Sequence, residues 1–229
     1  RLYATGSFTN ISGGSRSYLA ALDRNTGSLV SSFRGDLNGI AYAVMVDGAE
    51  IYVGGTFSNV YDGVTNYPRG RIAAVNASGS ALAWNPGTLP GTGFVWSLAK
   101  SAGVVYLGGD FTTAGSQPRT RFAAVVDPAG GTGSATALNV SASGKPRSMV
   151  LNGSGSTLFM AGEFSNLGGY SRNYVGAIDV GSGGVTTFAP ALNNYAYALA
   201  MDFDTLYVGG IFNTVGGQSH QTVAAVDSV

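Results

Sequence analysis

The chain has no cysteine. That excludes disulfides, thiolate metal sites and thiol catalysis together. Its single histidine, His220, rules out a metal centre built from several imidazoles of one chain. Charge is scarce as well: 10% of the 229 residues are Asp, Glu, Lys or Arg, and twelve basic groups balance twelve acidic ones. A formal net charge of zero supplies no overall field to gather nucleic acid or an anionic bilayer. No apolar run reaches the ~18 residues of a membrane-spanning helix. Phosphate-loop, dinucleotide and zinc motifs are missing too, so no cofactor is expected. What the chain does have is glycine, 36 residues, and 45% hydrophobic residues, enough apolar surface to offset chain entropy and fold.

The glycines belong to an internal repeat. Leu2–Phe8 (LYATGSF) recurs as Ile51–Phe57 (IYVGGTF), Val105–Phe111 (VYLGGDF), Leu158–Phe164 (LFMAGEF) and Leu206–Phe212 (LYVGGIF). A second motif follows each copy: Tyr18–Asp23 (YLAALD), Arg71–Asn76 (RIAAVN), Arg121–Asp127 (RFAAVVD), Tyr174–Asp179 (YVGAID) and Thr222–Asp227 (TVAAVD). Short runs rich in Val, Ile, Tyr and Phe, separated by Gly, Asn and Asp, predict strands joined by tight turns. In the first repeat these are Leu2–Phe8, Tyr18–Asp23, Ser28–Phe33 and Ile40–Val46. No segment sustains a helical period.

The Gly-Gly strand is apolar on both faces, so it needs cover on both sides. Sheets stacked face to face supply it, with glycine letting backbones approach closely. Four strands per ~50-residue unit describe a propeller blade. The expectation is all-β: one domain over 1–229, a five-bladed β-propeller of four-stranded repeats at approximately 1–50, 51–103, 104–156, 157–204 and 205–229. Its terminal blades are expected to be incomplete. Nothing precedes Leu2 to form an inner strand for the first blade, and the last lacks an outer strand, leaving about eighteen strands of twenty. The exposed edge would involve Leu2, Tyr3, Thr222, Val223 and Val226, open to strand addition by a second copy or another segment.

These residues carry a resemblance. Val208–Phe212 (VGGIF) with Val215–Gly217, the Ala-containing strand ending in Asp, and Phe188–Pro190 (FAP) resemble the Delta-60 β-propeller repeat; the Gly-Gly strand is also distantly kelch-like. The resemblance covers essentially the whole chain. It implies a propeller fold in a secreted or cell-surface protein, and it brings no catalytic residues.

Several residues are candidates for chemistry. Arg16, Arg69, Arg119, Arg172 and His220 hold one repeat position and predict a ring, one per blade. Such a ring would either receive an anion or acidic sugar, or make repeated contacts to carbonyls or to the strand-ending Asp23, Asp127, Asp179 and Asp227. The bland reading is favoured. Tyr61, Tyr67 and Tyr170 lie in loops after the Phe strands and are candidate sugar platforms, with Trp84, Trp96 and Tyr195 also outside the repeat's core positions. Asp110 and Glu163 share a repeat position with Ser7, Thr56 and Ile211, too varied for a reaction centre. Asp36–Gly39 and Asp202–Asp204 read as turns rather than calcium loops. Sequons at Asn10, Asn76, Asn139 and Asn152 are no more than chance provides. No catalytic or metal-binding residue is assigned. The expected function is a non-enzymatic extracellular or cell-surface structural or adhesive propeller, assembling with itself head to tail or with other surface proteins. A carbohydrate-binding lectin is the alternative and a glycan-active enzyme the third.

Overall fold

The computed structural model describes residues 1–86, 93–127 and 132–228, and every regular element among them is a β-strand. Four antiparallel three-stranded blades repeat one plan. Their inner strands are Ala41–Asp47, Val95–Ser101, Pro146–Leu151 and Ala196–Asp202. The middle strands are Glu50–Gly55, Val104–Gly109, Thr157–Gly162 and Thr205–Gly210. The third strands are Ile72–Val75, Phe122–Val126, Val175–Asp179 and Val223–Asp227. Among the described residues, the blade before these is the pair Leu2–Thr5 with Leu19–Leu22. We number the five blades 1 to 5 along the chain.

The fourth strand of each repeat is shorter than its apolar run predicts. Blades 1 to 4 keep one bridge apiece: Leu22 to Leu29, Val75 to Ala81, Val125 to Ala135 and Ile178 to Val185. Beyond the bridge the chain turns inward, and Phe33 and Trp84 become fully buried core residues. Trp84, expected outside the core, therefore lies between blades 2 and 3, with its Nε1 donating to the Val126 carbonyl at 3.0 Å. The runs between the Phe and the Ala-rich strand are not plain loops. Each forms a small two-residue or three-residue hairpin, such as Thr113–Ala114 with Gln117–Pro118.

The blades pack through four cores, one per neighbouring pair. Leu19, Ala21 and Phe33 of blade 1 meet Ile51, Val53 and Phe57 of blade 2. Tyr52 and Trp84 meet Leu107 and Phe111; Tyr106 and Phe122 meet Met160 and Phe164; Phe159 and Ala177 meet Val208 and Phe212. A closed ring of five would have a fifth core between blades 5 and 1. Among the described residues no strand of blade 1 packs on one of blade 5 as neighbouring blades do. The blades form an open row.

Both glycines of the Gly-Gly pair have a steric reason. A Cβ on the first, Gly54 or Gly108, would strike the next blade's inner strand at Val95 or Pro146, and at Gly108 also Ser97 of its own blade. A Cβ on the second, Gly55, Gly109, Gly162 or Gly210, would run into the carbonyl oxygen of Ile40, Phe94, Lys145 or Tyr195, just before the blade's own inner strand. The first glycine sets the spacing between blades and the second the closeness within one.

Candidate functional site

The ring of basic residues is a set of clasps. Arg69 donates through Nη1 to the Pro68 carbonyl and through Nη2 to Leu82; Arg119 does the same to Pro118 and Thr136, and Arg172 to Ser171 and Thr186. Arg16, 4% exposed, reaches Ser15, Ser31 and Phe33. Each guanidinium thus ties its hairpin to the short fourth segment, whose carbonyls a longer strand would have paired. The forks face main chain rather than a ligand, which corrects the anion-ring reading. Their supposed acidic partners do other work: Asp23 and Asp179 accept amides of their own turns, and Asp127 pairs with Lys100. Those turn amides lower the pKa of Asp23 and Asp179 from the ordinary carboxylate value. His220 is exposed just after the hairpin of blade 5.

The loop tyrosines stay on the hairpins. The Tyr61 hydroxyl donates to Gly63 and that of Tyr67 to Asp62, while Tyr170 is 58% exposed with Arg172 above its ring. Tyr61 and Tyr67 share the hairpin of blade 2, while Tyr170 stands on that of blade 4. Asp36 accepts the Ser17 amide, and Asp202 and Thr205 pair across the turn that carries Phe203. Of the edge residues, Leu2 and Val223 are exposed at 57% and 63%. Thr222 is exposed too, while Tyr3 leans on Phe33 and Val226 packs against the core between blades 4 and 5.

A different set of side chains converges, and sequence reasoning missed it. Each of the four inner strands begins with a bulge: the register slips between Ala41 and Ala43, Val95 and Ser97, Pro146 and Ser148, and Ala196 and Ala198. A bulge re-aims the extra side chain. The four bulged residues are Tyr42, Trp96, Arg147 and Tyr197, one per blade along the inner strands. Tyr42 stacks on Trp96 with centroids 4.0 Å apart, and the Arg147 guanidinium lies 3.9 Å from the same ring. Phe94 meets Trp96 edge-on at 5.8 Å.

The same end of the blades carries the residue just after each middle strand and the residue just before each third strand. Glu163 accepts from Nε and Nη2 of Arg147. Asp110 faces Arg121 at 3.6 Å and Lys145 at 3.8 Å. Arg71, Arg121, Tyr174 and Thr222, with Tyr18 in blade 1, all have positive φ between 65° and 69°. That is a costly conformation for side chains of this kind. Five copies of it turn these side chains onto one end of the row, where Tyr174 meets Tyr195 edge-on at 5.4 Å. The result is a ledge of aromatic rings and ion pairs along the inner strands. A sequence signal existed: a large residue bracketed by small or apolar ones, as in AYA at 41–43, VWS at 95–97, PRS at 146–148 and AYA at 196–198.

No family model and no curated protein matches the sequence. Among solved structures, the chain is similar to a candidate 6-phosphogluconolactonase from Bacteroides uniformis, at 14% identity and TM-score 0.55, over 97% of this chain and 66% of that one. It is also similar to a chain of the mitotic checkpoint complex, at 14% identity and TM-score 0.52, over 92% of this chain and 59% of that one. The likeness is one of fold: the chain is a β-propeller, and it spans roughly two thirds or less of the length of these chains.

Proposed function

We propose that the protein is a non-enzymatic adhesive propeller of the cell surface or extracellular space, with the inner-strand ledge as its contact surface. One observation carries the reading. In a repeat fold, structural positions are copied, as the Gly pair, the Ala-rich strand, the Phe and the clasp arginine are. The ledge positions are not copied: the bulge holds Tyr, Trp, Arg and Tyr, and the residue before each Phe is Ser, Thr, Asp, Glu or Ile. Varied residues on a uniform frame, rich in rings and charge, suit recognition of an extended partner. Asp110 and Glu163 each stand against a basic partner in adjacent blades, an arrangement for holding a surface together or gripping a ligand. Location rests on the Delta-60 resemblance. Labelled full-length protein on a glycan array is the test: binding lost in Tyr42→Ala/Tyr197→Ala but kept in Asp110→Asn supports adhesion. Turnover of any bound glycan that Asp110→Asn abolishes overturns the non-enzymatic reading.

Head-to-tail assembly is the second reading, favoured by the outer blade faces. Tyr207 is 43% exposed, whereas Tyr52, Tyr106 and Phe159, at the same repeat position, are buried in interior interfaces. The face that receives a neighbour in blades 2 to 4 is thus uncovered in blade 5, and a second copy offers the matching blade. Light scattering and electron microscopy of the purified protein distinguish filaments from single particles.

A further inference from the structure

We infer that the hairpin of blade 2 carries a binding site for a neutral sugar, a pyranose recognised by adjacent hydroxyls and by its C–H face. The inference goes beyond the ledge, since none of the four bulged residues lines this site. Strand register groups its side chains. Asp36–Leu37 pairs with Asn59–Tyr61, which pairs in turn with Asn66–Pro68. Asp36 therefore stands opposite Tyr61, and Tyr61 opposite Asn66, in one row across three strands. Asn59 lies two residues from Tyr61 and so on the same face. Leu37 and Val60 are buried in the core between blades 1 and 2. The outward face is a cup: Ser17, Asp36, Asn38, Asn59, Tyr61 and Asn66 line a cavity of about 380 Å³, within the range of small-ligand sites.

Copied and uncopied residues separate here. Asn38 is structural, because its Oδ1 accepts the Ser58 and Asn59 amides, as Ser143 Oγ and Asn193 Oδ1 do for the matching amides of blades 4 and 5. The rest of the row is particular to blade 2. Tyr61 stands where the other hairpins have Ser12, Gly115, Gly168 and Gly216. Asp36 precedes Leu37, where Ser141 and Ala191 precede the bridging residues Ala142 and Leu192 of later repeats. The polar atoms left over define the ligand. Asp36 uses Oδ1 on the Ser17 amide at 2.7 Å, which leaves Oδ2 as an open acceptor. Among the described residues the side-chain amides of Asn59 and Asn66 find no hydrogen-bond partner. The Tyr61 hydroxyl is held by the Gly63 carbonyl at 2.8 Å, which pins a ring that is 43% exposed. A carboxylate beside primary amides calls for a group that donates to one and accepts from the other, and a hydroxyl does both. Adjacent hydroxyls of a pyranose supply such a pair, while its C–H face suits the Tyr61 ring. Asp36 is the one charged residue described in the lining, so an anionic ligand would meet repulsion without a counter-ion.

The test is calorimetric titration of the full chain with neutral trisaccharides of galactose, mannose and glucose, with trigalacturonic acid, and with a hexaserine peptide. At least one neutral trisaccharide is expected to bind saturably, with a dissociation constant of about 1 mM or below, and about tenfold tighter than the acid or the peptide. Tyr61→Ala, Asn66→Ala and Asp36→Asn should each weaken it by about fivefold or more, the last while keeping an oxygen for the Ser17 amide. Tyr170→Ala, which removes an exposed ring from the hairpin of blade 4, should leave it unchanged. Melting curves matched to wild type confirm that the variants are folded. Equal binding of trigalacturonic acid or hexaserine overturns the neutral-sugar specificity. Sugar binding that survives all three substitutions but is lost in Tyr42→Ala/Tyr197→Ala overturns this site and leaves the ledge as the adhesive surface. A chain that binds array glycans yet none of the neutral trisaccharides has the same consequence. No binding in either experiment overturns both readings.

Discussion

A hydrogen and a methyl group are not interchangeable where a middle strand passes the entry to its own inner strand. A Cβ at Gly109 would collide with the Phe94 carbonyl oxygen and with the ring of Phe111. Neither can give way, because the Phe94 carbonyl accepts the Asp110 amide and Phe111 is buried between blades 2 and 3. Gly109→Ala is therefore expected to cost about 2–4 kcal/mol, read from chemical denaturation. Gly153 has open space around its virtual Cβ and an ordinary φ, so Gly153→Ala should be neutral or slightly stabilising. The repeated Gly-Gly was legible in the sequence, and so was its association with close approach. What it did not disclose was which backbone approaches. That depends on a bulge, and a bulge is a slip in pairing that no single strand records. The ledge residues were overlooked for the same reason: Tyr42, Trp96 and Arg147 become neighbours only when three blades align.

At the scale of elements, the blades are fastened by more than apolar faces. Lys100, on the inner strand of blade 3, reaches Asp47 at 2.8 Å and Glu50 at 3.5 Å in blade 2, Asp127 beside its own blade's third strand, and the Tyr52 hydroxyl at 2.7 Å. Its side chain is 11% exposed and that of Asp127 is 7%. Burial alone would lower the Lys100 pKa, but hydrogen bonds to Asp127, Asp47 and Tyr52 outweigh it and raise it well above the ordinary 10.5. Burial, with hydrogen bonds to Asp127 and Glu50, likewise raises the Tyr52 hydroxyl. A group whose folded pKa is raised stabilises fully below its unfolded value, and loses that contribution as pH climbs toward the folded one. Lys100→Met leaves the carboxylates without their counter-ion and should cost about 3 kcal/mol at neutral pH. In urea unfolding, the gap between wild type and variant should then narrow as pH rises above about 10.5. A gap that stayed constant instead would show that packing, not charge, holds these blades together here. From sequence this was invisible: Lys100 reads as a polar residue near a strand end, and its partners come from 47 to 127 along the chain. The hairpins escaped notice for a local reason, since paired segments of two residues are too short to show a period.

For the whole molecule, four cores among five blades leave two faces whose fate decides stability. Tyr106 and Tyr207 occupy equivalent places on their middle strands, one 4% exposed beneath blade 4 and the other 43% exposed with no blade over it. Truncating Tyr106 to Ala opens a cavity inside an interior core and should cost about 3–5 kcal/mol at any protein concentration. Tyr207→Ala should cost less than about 1 kcal/mol in dilute protein, because little buried surface is lost. Head-to-tail stacking changes that arithmetic through mass action, since a contact made only by the folded chain stabilises it in proportion to the logarithm of concentration. Wild type is then expected to melt at a higher temperature as it is concentrated, while Tyr207→Ala is not. The exposed Leu2, on the first strand of blade 1, and Val223, on the third strand of blade 5, need not respond. Strand addition at a bare edge and stacking on a bare face are different contacts, and the tyrosine reports the second. Melting temperatures of both variants across a hundredfold concentration series, about the range over which such linkage shifts stability by 2.7 kcal/mol, make the distinction. Curves that coincide at every concentration would leave the adhesive ledge as the propeller's working surface and the open faces without a part in assembly.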